Sequence, residues 1–294
     1  MRTTYNIMFA VSITLLVSAL VLWGKFGLNL GVDFRGGSVS EIQFHGARPD
    51  IEKIRTIIAA SEFRESTVSL AGADAVVIRG DQLSETQHQS LLGLVQKNFK
   101  DAKPVETRFD SVGPAIGDEL KSRSAWAILL VLVSVSAYIA LVFRSMGRVL
   151  SPWAMSAATM VALAHDVLLP IGLFAALGHW SGVEINAVFV AAILTIMGYS
   201  ISDTVVIFDR VRENILRGVK GEFHEIVHMS VMQTLARSIA TNVTTLLSLI
   251  AIYFFGGESI KYFALALIVG IFSGAYSSIF VASPILVWMV RKRV

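Results

Sequence analysis

Residues 185–208 read INAVFVAAILTIMGYSISDTVVIF, a run long enough to cross a bilayer that carries one charged residue, Asp203. Five further stretches, at 5–23, 125–143, 153–177, 238–255 and 262–290, are predominantly apolar and meet the length of roughly 20 residues that a span requires. The sequence therefore predicts a polytopic α-helical membrane protein with six transmembrane helices. The last stretch is the longest, and it is predicted to tilt or to bend near Pro284. The first is too long for a signal-peptide core and no small-residue cleavage site follows Trp23, so it reads as an uncleaved signal anchor.

Composition agrees. Hydrophobic residues make up 54% of the chain and charged residues 16%, against about 25% charge in soluble domains. Mean hydropathy is +0.65. The net charge of +3 is no nucleic-acid signature, because residues 24–124 hold 13 Lys/Arg against 14 Asp/Glu and the basic excess lies beside the spans. The chain has no cysteine, which excludes disulfides, thiolate catalysis and Cys-based metal sites. No metal, cofactor or enzymatic chemistry is expected.

Six spans place both termini on one side. The short segments on that side carry Arg2, Arg144, Arg148, Arg210, Arg212, Arg217, Lys220, Arg291, Lys292 and Arg293, whereas the short loops opposite, near 178–184 and 256–261, carry Lys261 alone. The positive-inside rule then predicts cytoplasmic termini and an external segment at about 24–124. The expected organisation is a first helix over 1–28, an external domain over 29–123, and helices 2–6 over 124–294 with a cytoplasmic segment at 209–236.

The external segment alternates strand and helix signals. Ser40, Ile42 and Phe44 alternate with polar neighbours. Pro49 opens a helix with acids in its first turn and Ile51, Ile54 and Ile58 as its apolar residues, and short strands are predicted near 66–71 and 75–79. Ser84 and Gln87 form a capping-box pattern ahead of a helix whose predicted inner side is Leu91, Leu94, Val95 and Asn98. A last strand is predicted with Val105, Thr107 and Phe109 inward and Glu106, Arg108 and Asp110 outward. The order β-α-β-β-α-β is that of a ferredoxin-like α+β domain. His45 and His88 read as isolated surface histidines.

Ionisable residues inside spans carry the functional information, since a charge at a helix centre costs on the order of 2.5–3.5 kcal/mol on insertion scales and requires partners. Asp203 is either an interfacial acid near the helix exit or a titrating carboxyl facing the bundle interior. Arg237 either snorkels to the interface or heads a polar stripe with Thr241, its i+4 neighbour, and Ser238, Asn242, Thr244 and Thr245. Arg237 and Asp203 fall at similar depth on adjacent antiparallel spans. Arginine keeps its proton in proteins, so Asp203 is the member of such a pair that titrates. His165 and Asp166 lie mid-span ahead of Pro170, and a proton relay and a local structural pairing stand level. Gly270 and Gly274 form a small-xxx-small pair suited to close helix packing. Residues 222–236 read as an amphipathic helix lying on the cytoplasmic face.

Four separated motifs carry a family resemblance. Gly31-Val32-Asp33-Phe34-Arg35-Gly36-Gly37, directly after the first span, resembles the GxDFxGG signature of the SecF family. Residues 198–214 (GYSISDTVVIFDRVREN), His165-Asp166-Val167, and Phe255-Gly256-Gly257-Glu258-Ser259 are similar to segments of the same family, the SecF half of the SecDF accessory complex of bacterial protein export within the RND superfamily. The resemblance covers essentially the whole chain. It implies six helices forming half of an RND-type bundle, a ferredoxin-like periplasmic domain, pairing with SecD, association with the SecYEG translocon and the translocating unfolded preprotein, and use of the proton-motive force in the inner membrane. It places a proton relay on Asp203, Arg237 and Thr241; His165, Asp166 and Asn242, polar groups inside the spans, are the candidate supporting residues. Ser202 stands where the family more often has Asn. Gly31, Gly36 and Gly37 of the first motif, which also includes Phe34, imply a tight exit from the membrane, with Asp33 either a turn residue or a functional one.

Three other functions compete. An intramembrane aspartyl protease built on Asp166 and Asp203 would need two close carboxyls sharing a proton, and no GxGD element is present. A passive scaffold stabilising an export channel would make no use of Asp203. An RND-type small-molecule exporter is poorly served by one small external domain.

Overall fold

The computed structural model describes residues 2–144 and 151–290. Of the orientation-setting basic residues, Arg148, Arg291, Lys292 and Arg293 lie outside the described residues, as do the side chains of Arg2, Glu258 and Ser259. The chain divides into two compact units, one of residues 30–125 and the other of residues 1–29 with 126–294.

The smaller unit opens with a single helical turn, α2 (Val32–Arg35), then β1 (Gly37–Phe44), α3 (Ile51–Ala59), β2 (Thr67–Ala71), β3 (Ala75–Gly80), α4 (Glu85–Asn98) and β4 (Pro104–Val112). The sheet order β2-β3-β1-β4, antiparallel throughout, is the ferredoxin-like arrangement. Ile42, Phe44, Ile54, Ile58, Val76, Ile78, Leu91 and Val95 meet between sheet and helices to form its core. Asp50 caps α3 through Glu52 N, and Ser84 and Gln87 close a capping box on α4. Gly36 and Gly37 have φ of +77° and +114°, and a β-carbon at Gly36 would meet Pro114 at 2.8 Å, so the turn into β1 needs glycine twice over.

Three expectations for this unit change. Asn98 is exposed and donates to Leu94 O, and Phe99 takes its place against the core. In β4, a bulge opposite Glu41 and Ile42 makes Thr107 the extra residue, so Glu41 pairs with Arg108 and Ile42 with Glu106. A two-residue period survives only while register does. Hence Pro104, Glu106 and Phe109 share the face of Phe44, Ile42 and Ser40, while Val105 is 45% exposed. The third change follows from the second. His88 is buried, lies flat on Phe109 at 3.6 Å, and meets Glu106 Oε2 through Nε2 at 2.8 Å, with Ser40 Oγ donating to Glu106 Oε1 at 2.6 Å. At the start of α4, hydrogen bonds from Gln89 and then His88 hold the exposed Glu85 carboxyl below its ordinary range.

The larger unit is helical. Among the described residues six helices are long and apolar enough to cross a membrane, and the chain is a multi-pass membrane protein. They are α1 (Arg2–Phe26), α5 (Pro114–Val142), which begins in the smaller unit, α6 (Pro152–Ser181), α7 (Ala187–Leu216), α8 (Phe223–Phe255), and the pair α9 (Glu258–Ser277) and α10 (Ser283–Val290). Residues 222–236 are not a separate helix but the first turns of α8. The interruption expected near Pro284 is a π-helical turn over Ser278–Ala282. Proline has no N–H and crowds the carbonyl four residues back, and the wider turn absorbs both, with Ser283 Oγ donating to Ser278 O at 2.8 Å.

Candidate functional site

Polar side chains concentrate where α6, α7, α8 and α9 meet. Asp203, on α7, is 7% exposed, and its Oδ2 accepts a hydrogen bond from Asn242 Nδ2 on α8 at 2.7 Å. Asn242 also donates to Ser238 O, one turn back on its own helix. Asp203 opens onto a recess of about 310 Å³ lined by Tyr199, Ser202, Arg237, Ser238, Thr241 and Thr245, among others. The sequence-predicted trio of Asp203, Arg237 and Thr241 thus lines one recess. No Arg237 nitrogen comes within 4.0 Å of the carboxylate, however, and the direct partner is Asn242.

The recess suits reversible charge chemistry. One wall holds a carboxyl able to exchange a proton, and the other a guanidinium that keeps its own. Tyr199 fixes the two helices at this level, its hydroxyl lying 3.1 Å from both Thr241 O and Thr245 Oγ1. Thr241 Oγ1 donates back to Arg237 O and Ser238 O, so its hydroxyl is held within α8.

A second cluster lies around Asp166, which is fully buried. Its Oδ2 accepts from Ser200 Oγ on α7 and Ser277 Oγ on α9, and its Oδ1 from Ser273 Oγ on α9, at 2.5, 2.6 and 2.8 Å. His165 Nδ1 lies 3.0 Å from Oδ1. Sequence reasoning found His165 and Asp166 but missed Ser200, Ser273 and Ser277. Ser273 and Ser277 are i, i+4 on α9 and lie either side of Gly274, where α9 comes close to Ser200. A β-carbon at Gly270, one turn earlier, would overlap Ile196 of α7.

Among the described residues no cluster of acidic and histidine side chains could hold a metal ion. The family motif after the first span lies in the smaller unit: Gly31 precedes α2, Asp33 is in its first turn and Phe34 is buried.

Comparison with known proteins fits both units. Residues 94–292 match the family described as Protein export membrane protein SecD/SecF, C-terminal, and residues 21–47 match the SecD/SecF GG Motif. A protein of Thermobaculum terrenum named Protein translocase subunit SecF is 41% identical over 297 residues, covering 97% of this chain and 92% of its own. One of Vibrio alginolyticus with the same name is 36% identical over 285 residues, covering 95% and 86%. The crystal structure of SecDF, a translocon-associated membrane protein from Thermus thermophilus, superposes with a TM-score of 0.83 at 31% identity over 98% of this chain. This chain spans 38% of that SecDF chain. SecDF in its super-membrane-facing form gives a TM-score of 0.67 at 32% identity. With 97% of its length matched by a SecF relative and both family models matched, the chain belongs to the SecF family of protein export membrane proteins.

Proposed function

We propose that this chain assists Sec-dependent protein translocation across the bacterial inner membrane as the SecF half of a SecD–SecF complex, and that it draws on the proton-motive force through Asp203. The observation that carries the reading is a carboxyl buried inside a membrane helix yet open to a recess shared with Arg237. Ionised Asp203 attracts the guanidinium and draws α7 and α8 together. Protonated, it keeps a partner in Asn242 and releases Arg237. A membrane potential contributes about 2.3 kcal/mol per proton per 100 mV, comparable with making or breaking such a pair.

Partners follow from the surfaces. Trp126, Leu129, Leu130, Val133 and Leu141 of α5 are exposed, as are Ile239, Val243, Leu247 and Ile250 of α8. Apolar faces of this extent suit lipid and the helices of a SecD half, and this chain covers 38% of the chain named SecDF. The SecYEG channel and the unfolded preprotein are the remaining partners in this reading. Both termini are cytoplasmic and residues 24–124 are periplasmic, as the basic residues Arg144, Arg210, Arg212, Arg217 and Lys220 support.

The test is export into vesicles holding the SecD–SecF complex under an imposed proton gradient. Asp203→Asn abolishes the gradient-dependent part while the complex assembles in normal amount. Full gradient-dependent activity in that variant rejects the relay and leaves a passive scaffold, which would also ignore uncouplers.

A further inference from the structure

The geometry points to His165 as a second proton-binding group in the membrane core, with Asp166 as its fixed counter-charge and orienting partner.

Hydrogen bonding around Asp166 sets the tautomer of the ring. Its two oxygens receive Ser273, Ser200 and Ser277 hydroxyls, and His165 Nδ1 faces Oδ1 at 3.0 Å. Ser273 Oγ, whose own proton goes to Asp166, lies 3.3 Å from the same ring nitrogen. Nδ1 therefore faces two oxygens that present lone pairs, and it must carry the hydrogen. Four donors then fill the acceptor positions of an ionised carboxylate.

With its hydrogen on Nδ1, a neutral His165 has a bare lone pair on Nε2. That atom is buried and has no hydrogen-bond partner among the described residues, in a side chain only 2% exposed. In this state the cluster carries a net negative charge. The elements packed on α6 carry their cations only towards their ends, among them Lys25 of α1, Arg210 and Arg212 of α7 and Lys261 of α9; residues 4–24, 126–143 and 262–290 contain no Asp, Glu, Lys or Arg, and residues 185–208 contain Asp203 alone. Within those spans the ionisable groups are Asp203 and Tyr199 on α7, Tyr5 on α1, Tyr138 on α5, and Tyr262 and Tyr276 on α9. Tyr5, Tyr199 and Tyr276 bond to other partners. A proton on Nε2 makes an imidazolium beside the carboxylate and cancels the net charge, which an apolar interior favours. The cluster spans α6, α7 and α9, so the proton is felt by three helices at once.

Nitrogen-15 NMR of the full chain, labelled at histidine and held in lipid bilayers, reads the ring directly. The His165 signal is assigned by its disappearance in His165→Gln. Expected are a neutral form with the proton on Nδ1 and a reversible gain of a proton on Nε2 as the pH is lowered. In Asp166→Asn the pure Nδ1–H form gives way to a mixture and the transition moves. A neutral ring with its proton on Nε2, a ring that stays neutral throughout, or an Asp166 whose carboxyl carbon reports a protonated acid would each overturn the inference. These readings use the unaltered chain, so misfolding of the Asp166 variant leaves the test intact. The inference stands apart from the role given to Asp203, and retained export in Asp203→Asn would not touch it.

Discussion

Asn242 Nδ2 lies 2.7 Å from Asp203 Oδ2, so an amide rather than a guanidinium holds the buried carboxyl of α7 to α8. Arg237, one turn and a half away on α8, faces the same recess without bonding to it. An amide can serve the acid in either protonation state, offering N–H to a carboxylate or its oxygen to a carboxylic acid. Asn242 Oδ1 is buried and unpartnered among the described residues, ready for the second arrangement.

Replacing Asn242 with Leu removes both arrangements. Interhelical hydrogen bonds inside membranes are worth about 0.6 kcal/mol on average and up to about 1.7. The variant is expected to lose stability within that range, measured by thermal unfolding of the full chain in detergent, and to weaken the gradient dependence of export. An unchanged melting curve together with unchanged gradient dependence would show that Asn242 does not hold the acid.

At Gly270, α9 packs directly onto the Ile196 side chain of α7. A β-carbon there would overlap Ile196, which is fully buried. Gly270→Val is expected to destabilise the full chain by about 1–3 kcal/mol, the usual cost of overfilling a packed interior. Ile196→Ala in the same chain opens room for the valine and is expected to restore much of the loss. A double variant no more stable than the less stable single would place the damage elsewhere.

Much of this architecture is legible in the residues alone, for identifiable reasons. Spans are legible because hydrocarbon tolerates few charges, which also makes Asp203 conspicuous in its apolar run. Asn242 is legible as part of a polar stripe that lipid would not favour. Ser200, Ser273 and Ser277 are not, because a serine inside a membrane helix reads equally as a small packing residue, and only the rotation of α7 and α9 about their axes turns three hydroxyls onto Asp166. The choice of Asn242 over Arg237 depends on differences of a few ångström that spacing along α8 does not encode. In the smaller unit the alternation of β4 misleads because the bulge belongs to a pair of strands, and one strand's sequence does not contain it.

The bulge has an energetic consequence at His88. It turns Glu106 onto the core face, where the carboxyl bonds both Ser40 and His88, and the imidazole is stacked on Phe109. Removing one partner leaves a buried polar group unsatisfied, which costs about 1–3 kcal/mol and more if it is charged. His88→Leu and Glu106→Leu are each expected to lower the stability of the smaller unit by at least that amount. Together they are expected to cost less than the sum of the two, since imidazole and carboxyl no longer strand each other and only the Ser40 hydroxyl loses its acceptor, and the cycle should return a coupling of about 0.5–3 kcal/mol. Denaturant unfolding of the full chain in detergent, followed by the exchange protection of β1 and β4 amides, measures it. Strictly additive losses would mean that the two side chains are neighbours without a shared bond.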